Sequence, residues 1–174
     1  MRKIFKGILV LCSLTMVLAL VPVVQATAAD TETFVNESPH FTLTIPKWSK
    51  SPNSRNPSCI LRRVFDPDEV TSLEVAVADL PEGASYKDLA PGLIQFFEDK
   101  YDASNFETLY EKEIKLQDGT PAYELEVKWQ HPAILLYTYE LVVFKDKKMV
   151  TVSVTDGRKI SDQLKQIPMS LTFK

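Results

Sequence analysis

The side chains able to do chemistry in this chain are few and scattered. His40 and His131 are the only histidines, and each adjoins a proline at the boundary of a predicted strand. Nucleophilic catalysis needs a base within hydrogen-bond reach of the nucleophile. No Gly-x-Ser-x-Gly elbow is present. Cys59 carries no local signature and runs into Ile60 and Leu61, which predicts a buried structural thiol. Transition-metal sites draw on clustered His, Cys and carboxylate ligands, whereas His40, Cys59 and His131 lie far apart in sequence. Glu111 and Glu113, and Glu124 and Glu126, form like-face pairs on neighbouring predicted strands. Such pairs could meet across a hairpin and hold a hard cation such as calcium. The plainer reading is a solvated face shared with Lys112, Lys115 and Lys128. Phosphate cradles need glycine-rich loops, and Gly83, Gly92, Gly119 and Gly157 are isolated. We therefore expect no catalytic set, no metal and no cofactor.

Recognition is the better use of the remaining residues. Tyr and Trp serve both as core and as interface anchors. Trp48, Arg62, Arg63, Trp129 and His131 form the candidate recognition surface. Trp48 also reads as a lid over a sheet edge, and Trp129, Tyr137 and Tyr139 lie on long predicted strands. The segment 47–58 and the His131-Pro132 connection are the loops expected to carry binding.

Elements must position these residues, and the first 28 residues are not among them. Arg2, Lys3 and Lys6 precede an uncharged apolar run from Gly7 to Val24, and Ala26-Thr27-Ala28 follows. This is the layout of a secretory leader of bacterial type. Cleavage after Ala28 or Ala26 is expected, and a retained anchor is the only route to a membrane. Residues 29–174 then form one exported domain, periplasmic or extracellular. The leader holds three basic residues and no acidic one, so the net charge of −3 becomes −6 on its removal. An acidic domain without a basic block is unsuited to nucleic acid. With one thiol left, it must rely on its own core rather than on disulfides.

Phe41, Leu43 and Ile45 alternate with threonines, a period of two. Residues 59–65, 72–80, 110–116, 122–129, 134–144, 149–155 and 170–173 also read as strands. Arg62 and Arg63 fall on opposite faces of theirs, which suits an edge strand. Residues 29–39 read as a polar lead-in. Tyr86, Leu89, Leu93, Phe96, Phe97 and Tyr101 form an apolar stripe at helical spacing, with Ser85 and Asp88 approximating a capping box. Pro91 either kinks that helix or marks its first turn. Ile160, Leu164 and Ile167 predict a second helix that Pro168 stops. The order β-β-β-α-β-β-β-β-α-β, with hairpin-length connections, predicts an α+β domain: one antiparallel sheet of about six to eight strands with helices packed on it.

That order is similar to the Mog1/PsbP-like superfamily. The run His40-Phe41-Thr42-Leu43-Thr44-Ile45-Pro46-Lys47-Trp48 resembles the family's opening strand, which closes on Pro and then Trp. Asp118-Gly119-Thr120-Pro121-Ala122 resembles its Gly-x-Pro-Ala hairpin, and Ile167 to Phe173 its helix-to-Ser-x-x-Phe ending. Lys47 departs from the pattern, since bacterial members usually carry Gly there. The resemblance implies an α/β/α sandwich and a non-enzymatic accessory or binding module, with no shared catalytic set to transfer. A protein partner is the leading expectation. A carrier of a small apolar ligand or lipid, enclosed by the sheet and the Phe96/Phe97 helix, is the alternative. A metal-dependent hydrolase is the third.

Overall fold

Period-two patterning draws most of the chain into antiparallel sheet. The computed structural model describes residues 30–52, 54–65 and 70–174; the leader read at 1–28 lies outside them. Its strands are β1 (Thr31–Glu37), β2 (His40–Pro46), β3 (Ser49–Lys50), β4 (Cys59–Val64), β5 (Ser72–Asp79), β6 (Ser104–Lys115), β7 (Pro121–His131), β8 (Ile134–Lys145), β9 (Lys148–Asp156) and β10 (Thr172–Phe173). Its helices are α1 (Leu89–Tyr101), entered through a 3₁₀ turn at Tyr86–Asp88, and α2 (Asp162–Met169). Seven strands form the main sheet in the order β3-β4-β5-β9-β8-β7-β6, and β1-β2-β10 form a smaller one.

Alternation gives the main sheet two different faces. On the first, Leu73 and Val75 of β5, Leu141 and Val143 of β8, and the three valines of β9 are fully buried. They pack against β2, through Phe41, Leu43 and Ile45, and against Leu164 and Ile167 of α2. Full burial of one such aliphatic side chain is worth roughly 1.5–3 kcal/mol, so this dry layer is where stability concentrates. The second face meets α1. There Phe97, Leu125, Val127, Trp129 and Leu136 cluster toward one end, and Tyr123 packs with Tyr86 at the other.

Topology explains where α1 lies. Every neighbouring pair in the main sheet is antiparallel, so β5 and β6, four places apart, run in the same direction. The chain leaving β5 must travel back along the sheet before β6 can begin. Thirteen helical residues cover about 20 Å, enough for that return. Tyr86 stacks on Tyr123 and Phe144 at the departure end. Phe97 stacks on Trp129 at the arrival end, with centroids 4.7 Å apart.

The structure revises several local readings. The polar segment 29–39 contains β1, which pairs with β2 from Thr31↔Pro46 to Glu37↔His40. It is a largely exposed edge strand whose apolar anchor is Phe34, packed on Phe41 with ring centroids 6.2 Å apart. β4 is not the edge of its sheet, because β3 pairs with it at Ser49↔Val64 and Lys50↔Arg63. β6 begins six residues before the predicted strand; register shifts between Ser104 and Glu107 and between Thr108 and Tyr110 break its alternation there. Pro91 lies in the first turn of α1, where its missing N–H forfeits no helical bond. Ser85 donates to Asp88 Oδ2 at 2.7 Å instead of capping a helix. Pro168 does not stop α2 but sits in its last turn.

Candidate functional site

The second face holds a polar row that the strand registers assemble. Arg62 pairs with Glu74, Glu74 with Ser153, and Ser153 with Glu140. These four residues of β4, β5, β9 and β8 stand side by side, pointing to the α1 side of the sheet. With strands about 4.8 Å apart, Glu74 and Glu140 lie about 10 Å apart across Ser153. Ser72, Thr155 and Thr138 form a second polar row beside them. There Thr138 Oγ1 and Thr155 Oγ1 are 3.0 Å apart, and Trp129 Nε1 donates to Thr138 Oγ1 at 3.0 Å.

A cavity of about 760 Å³ separates this floor from α1. Its lining includes Leu93, Phe96, Phe97, Trp129 and Leu136 on the apolar side and the Arg62-to-Glu140 row on the polar side. Such a volume suits a small organic ligand. The cavity also bears on the helix stripe. On α1 only Phe97 is fully buried; Leu93, Phe96 and Tyr101 are partly buried, packing against the Phe97–Trp129 cluster on one side and lining the cavity on the other.

Charge is unevenly satisfied along the row. Arg62 Nε lies 3.7 Å from Glu74 Oε2, and Arg62 Nη1 donates to Ser51 Oγ at 2.7 Å. Burial pushes the Glu74 carboxyl upward, opposed by Ser54, Arg62 and Asn56. Glu140 is 6% exposed, and its Oε2 is buried with no hydrogen-bond partner. Burial, reinforced by the Glu74 charge, pushes its pKa up to about 8. A buried ionisable group left without a partner is the kind of local conflict that marks functional sites. Burial and then the charge of Glu74 push the Tyr101 phenol up to about 12, and burial followed by Glu74 raises the Cys59 thiol. Cys59 is half-buried and free, and its Sγ donates to Leu61 O at 3.2 Å. It is therefore a poor nucleophile.

The loop before β4 ties down the far end of the helix. Arg55 Nη1 donates to Lys100 O at 2.7 Å, and its guanidinium lies 5.5 Å from the centroid of the Tyr101 ring. A cation there also complements the helix C-terminus.

Of the five residues singled out for recognition, the fold brings three together. Arg62, Trp129 and His131 line the cavity. Arg63 is on the opposite face, buried, donating to Glu32 Oε1 at 2.8 Å. Trp48 is half-buried and packs edge-on against Phe65 at 5.7 Å. The two histidines belong to different sheets: His40 on β2 and His131 at the end of β7. His131 Nδ1 accepts from Ala133 N at 3.3 Å. The carboxylate pairs do not meet. Glu111 and Glu113 face with Leu125 and Tyr123, while Glu124 and Glu126 face with Lys112 and Tyr110 on the other side. Nor is that other side uniformly solvated, since Glu126 is buried against Lys165 of α2 at 2.6 Å. Among the described residues no three His, Cys, Asp or Glu side chains converge on a metal position. Glu140, Glu74 and Ser153 were missed from sequence. The available signal was Glu140 itself, the one charge in the apolar run Ile134 to Phe144.

These features define an α+β sandwich with a dry core on one side and a helix-covered cavity on the other. It is a Mog1/PsbP-like fold. The solution structure of cyanobacterial PsbP (CyanoP) from Synechocystis sp. PCC 6803 is similar with a TM-score of 0.61 at 13% identity, over 90% of this chain and 99% of that one. The Saccharomyces cerevisiae Ran-binding protein Mog1p is similar with a TM-score of 0.58 at 9% identity, over 85% of this chain and 96% of that one. No protein-family model matches the sequence, and no curated protein matches it at a significant level.

Proposed function

We propose that residues 29–174 form an exported, non-catalytic binding module, and that it carries a small, largely apolar molecule between α1 and the main sheet. The observation that carries this reading is the cavity, bordered by aromatic and aliphatic side chains of α1 and floored by the main sheet. The leader pattern in residues 1–28 supports export. The separation of His40, His131 and Cys59 supports binding over turnover. Arg62, Trp129 and His131 belong to the proposed site, whereas Trp48 and Arg63 serve the framework.

A protein partner is the second reading. It is favoured by the neighbouring exposed side chains of Ile134 and Leu135 at the tip beside His131. The two are separated by titrating the purified domain with the hydrophobic dye N-phenylnaphthylamine. Saturable fluorescence enhancement is expected, and Ser153→Phe, which fills the middle of the floor, should remove it. Enhancement that persists in Ser153→Phe would place the dye elsewhere and defeat the carrier reading. Native mass spectrometry of protein purified from its own envelope should show a bound small molecule.

A further inference from the structure

Glu140 has a property that an apolar carrier does not require. A cavity meant only for hydrocarbon would be better floored by another valine, since burying an unpaired carboxyl is costly. The neighbouring residues do not relieve it. On its own row, β9 offers Ser153 and β7 offers Leu125. The nearest basic side chain on that row, Arg62, is engaged by Glu74 and Ser51. From the α1 side, Asp88, Lys100 and Tyr101 border the cavity, and Arg55 comes from the loop before β4. Arg55 and Lys100 are exposed, and Arg55 is committed to the Lys100 carbonyl. His131 borders the cavity from the end of β7. The floor thus holds a buried carboxyl whose Oε2 has no hydrogen-bond partner, in a cavity that is also lined by the aromatic residues Phe97, Tyr101 and Trp129.

We infer that the cavity selects an amphiphilic amine, with an apolar body against the aromatic cluster and one protonated nitrogen delivered to Glu140. This rests on the carrier reading and adds the chemistry of the ligand's polar end. The nitrogen pairs with the Glu140 carboxylate and supplies the positive charge that no side chain on the row has free. Binding is coupled to a proton. Near neutral pH Glu140 holds its own proton, and the incoming cation displaces it to solvent. Affinity therefore rises with pH until Glu140 is ionised in the free protein, and levels off above that point.

Octylamine, octanol and octanoate share one chain and differ in the charge of the head, so calorimetric titration with the three separates the contributions. At pH 8.5 octylamine should bind at least about tenfold more tightly than octanol, the scale of a charge-assisted hydrogen bond, and octanoate should bind most weakly. Glu140→Gln should keep octanol binding and lose the preference for the amine. Titration of the wild type at pH 7 in two buffers of different ionisation enthalpy should show close to one proton released per amine bound. That measurement needs no variant. Equal binding of amine and alcohol, a preference for octanoate, or no proton release would overturn this inference while leaving the carrier reading intact. No binding of any of the three would overturn both.

Discussion

Replacing Glu140 by glutamine should stabilise the domain, and only above mildly acidic pH. In the unfolded chain the carboxyl titrates near 4.5, and in the folded protein burial and the Glu74 charge raise it to about 8. Well below pH 4.5 both states hold the proton and ionisation of the group adds no cost to folding. As pH rises from 4.5 to 8 the unfolded chain ionises while the folded chain retains its proton, so stability falls throughout that window. Above pH 8 both states are ionised and the loss is complete. At about 1.4 kcal/mol per pH unit, the rise amounts to about 5 kcal/mol. Water entering the cavity softens it, which sets the expected range at about 2–5 kcal/mol. Glutamine keeps the shape and cannot ionise. Urea denaturation of the two proteins at pH 4.5 and pH 9 reads the difference directly. The curves should nearly coincide at the lower pH, with Glu140→Gln the more stable at the higher. A difference that does not change with pH would refute the reasoning. So would a variant less stable at pH 9, since that would mean the carboxylate has a partner in the folded protein.

Three further outcomes follow from the packing. Phe97→Ala removes the ring stacked on Trp129; it should cost about 3–5 kcal/mol and shift Trp129 emission to longer wavelength, both read in one fluorescence-monitored urea melt. Lys165→Ala leaves Glu126, whose side chain is 3% exposed, without its 2.6 Å cation. It should cost about 3 kcal/mol, while the Glu126→Gln, Lys165→Met double variant recovers most of that loss in thermal denaturation. Arg55→Ala cuts the tie to the Lys100 carbonyl; for an exposed contact worth about 1 kcal/mol, the amides of α1 should exchange about fivefold faster, measured by hydrogen–deuterium exchange.

Much of the fold was legible because a half-buried strand and an amphipathic helix each print their period on the sequence. β2, β5, β7, β8 and β9 follow from alternation, and the stripe from Tyr86 to Tyr101 follows from helical spacing. The failures have local physical causes. β1 is mostly exposed and polar, with no alternation to mark it as a strand; its pairing with β2 and the packing of Phe34 on Phe41 decide the matter. The register shifts at the start of β6 scramble its period.

The candidate site was legible only in part. Trp129, Arg62 and His131 stood out by type, and the same criterion drew in Arg63 and Trp48, which face elsewhere. Alternation assigned Thr151 and Ser153 to one face of β9 and its valines to the other, but gave no sign that the polar face would be covered. A polar face on a strand normally means solvent. Here α1 crosses above it, standing off on the rings of Tyr86 and Phe97.

The amino-acid order by itself determined the strands that alternate, the two helices and the sidedness of each, because those depend on residues within a few places of one another. Which polar residues became neighbours was decided by strand register: Arg62, Glu74, Ser153 and Glu140 come from four strands and meet only when β9 inserts between β5 and β8. Enclosure of that row under a helix, and the unpaired buried carboxyl it leaves, belong to the tertiary structure alone. Burial is a property of what lies overhead, and no local pattern records it.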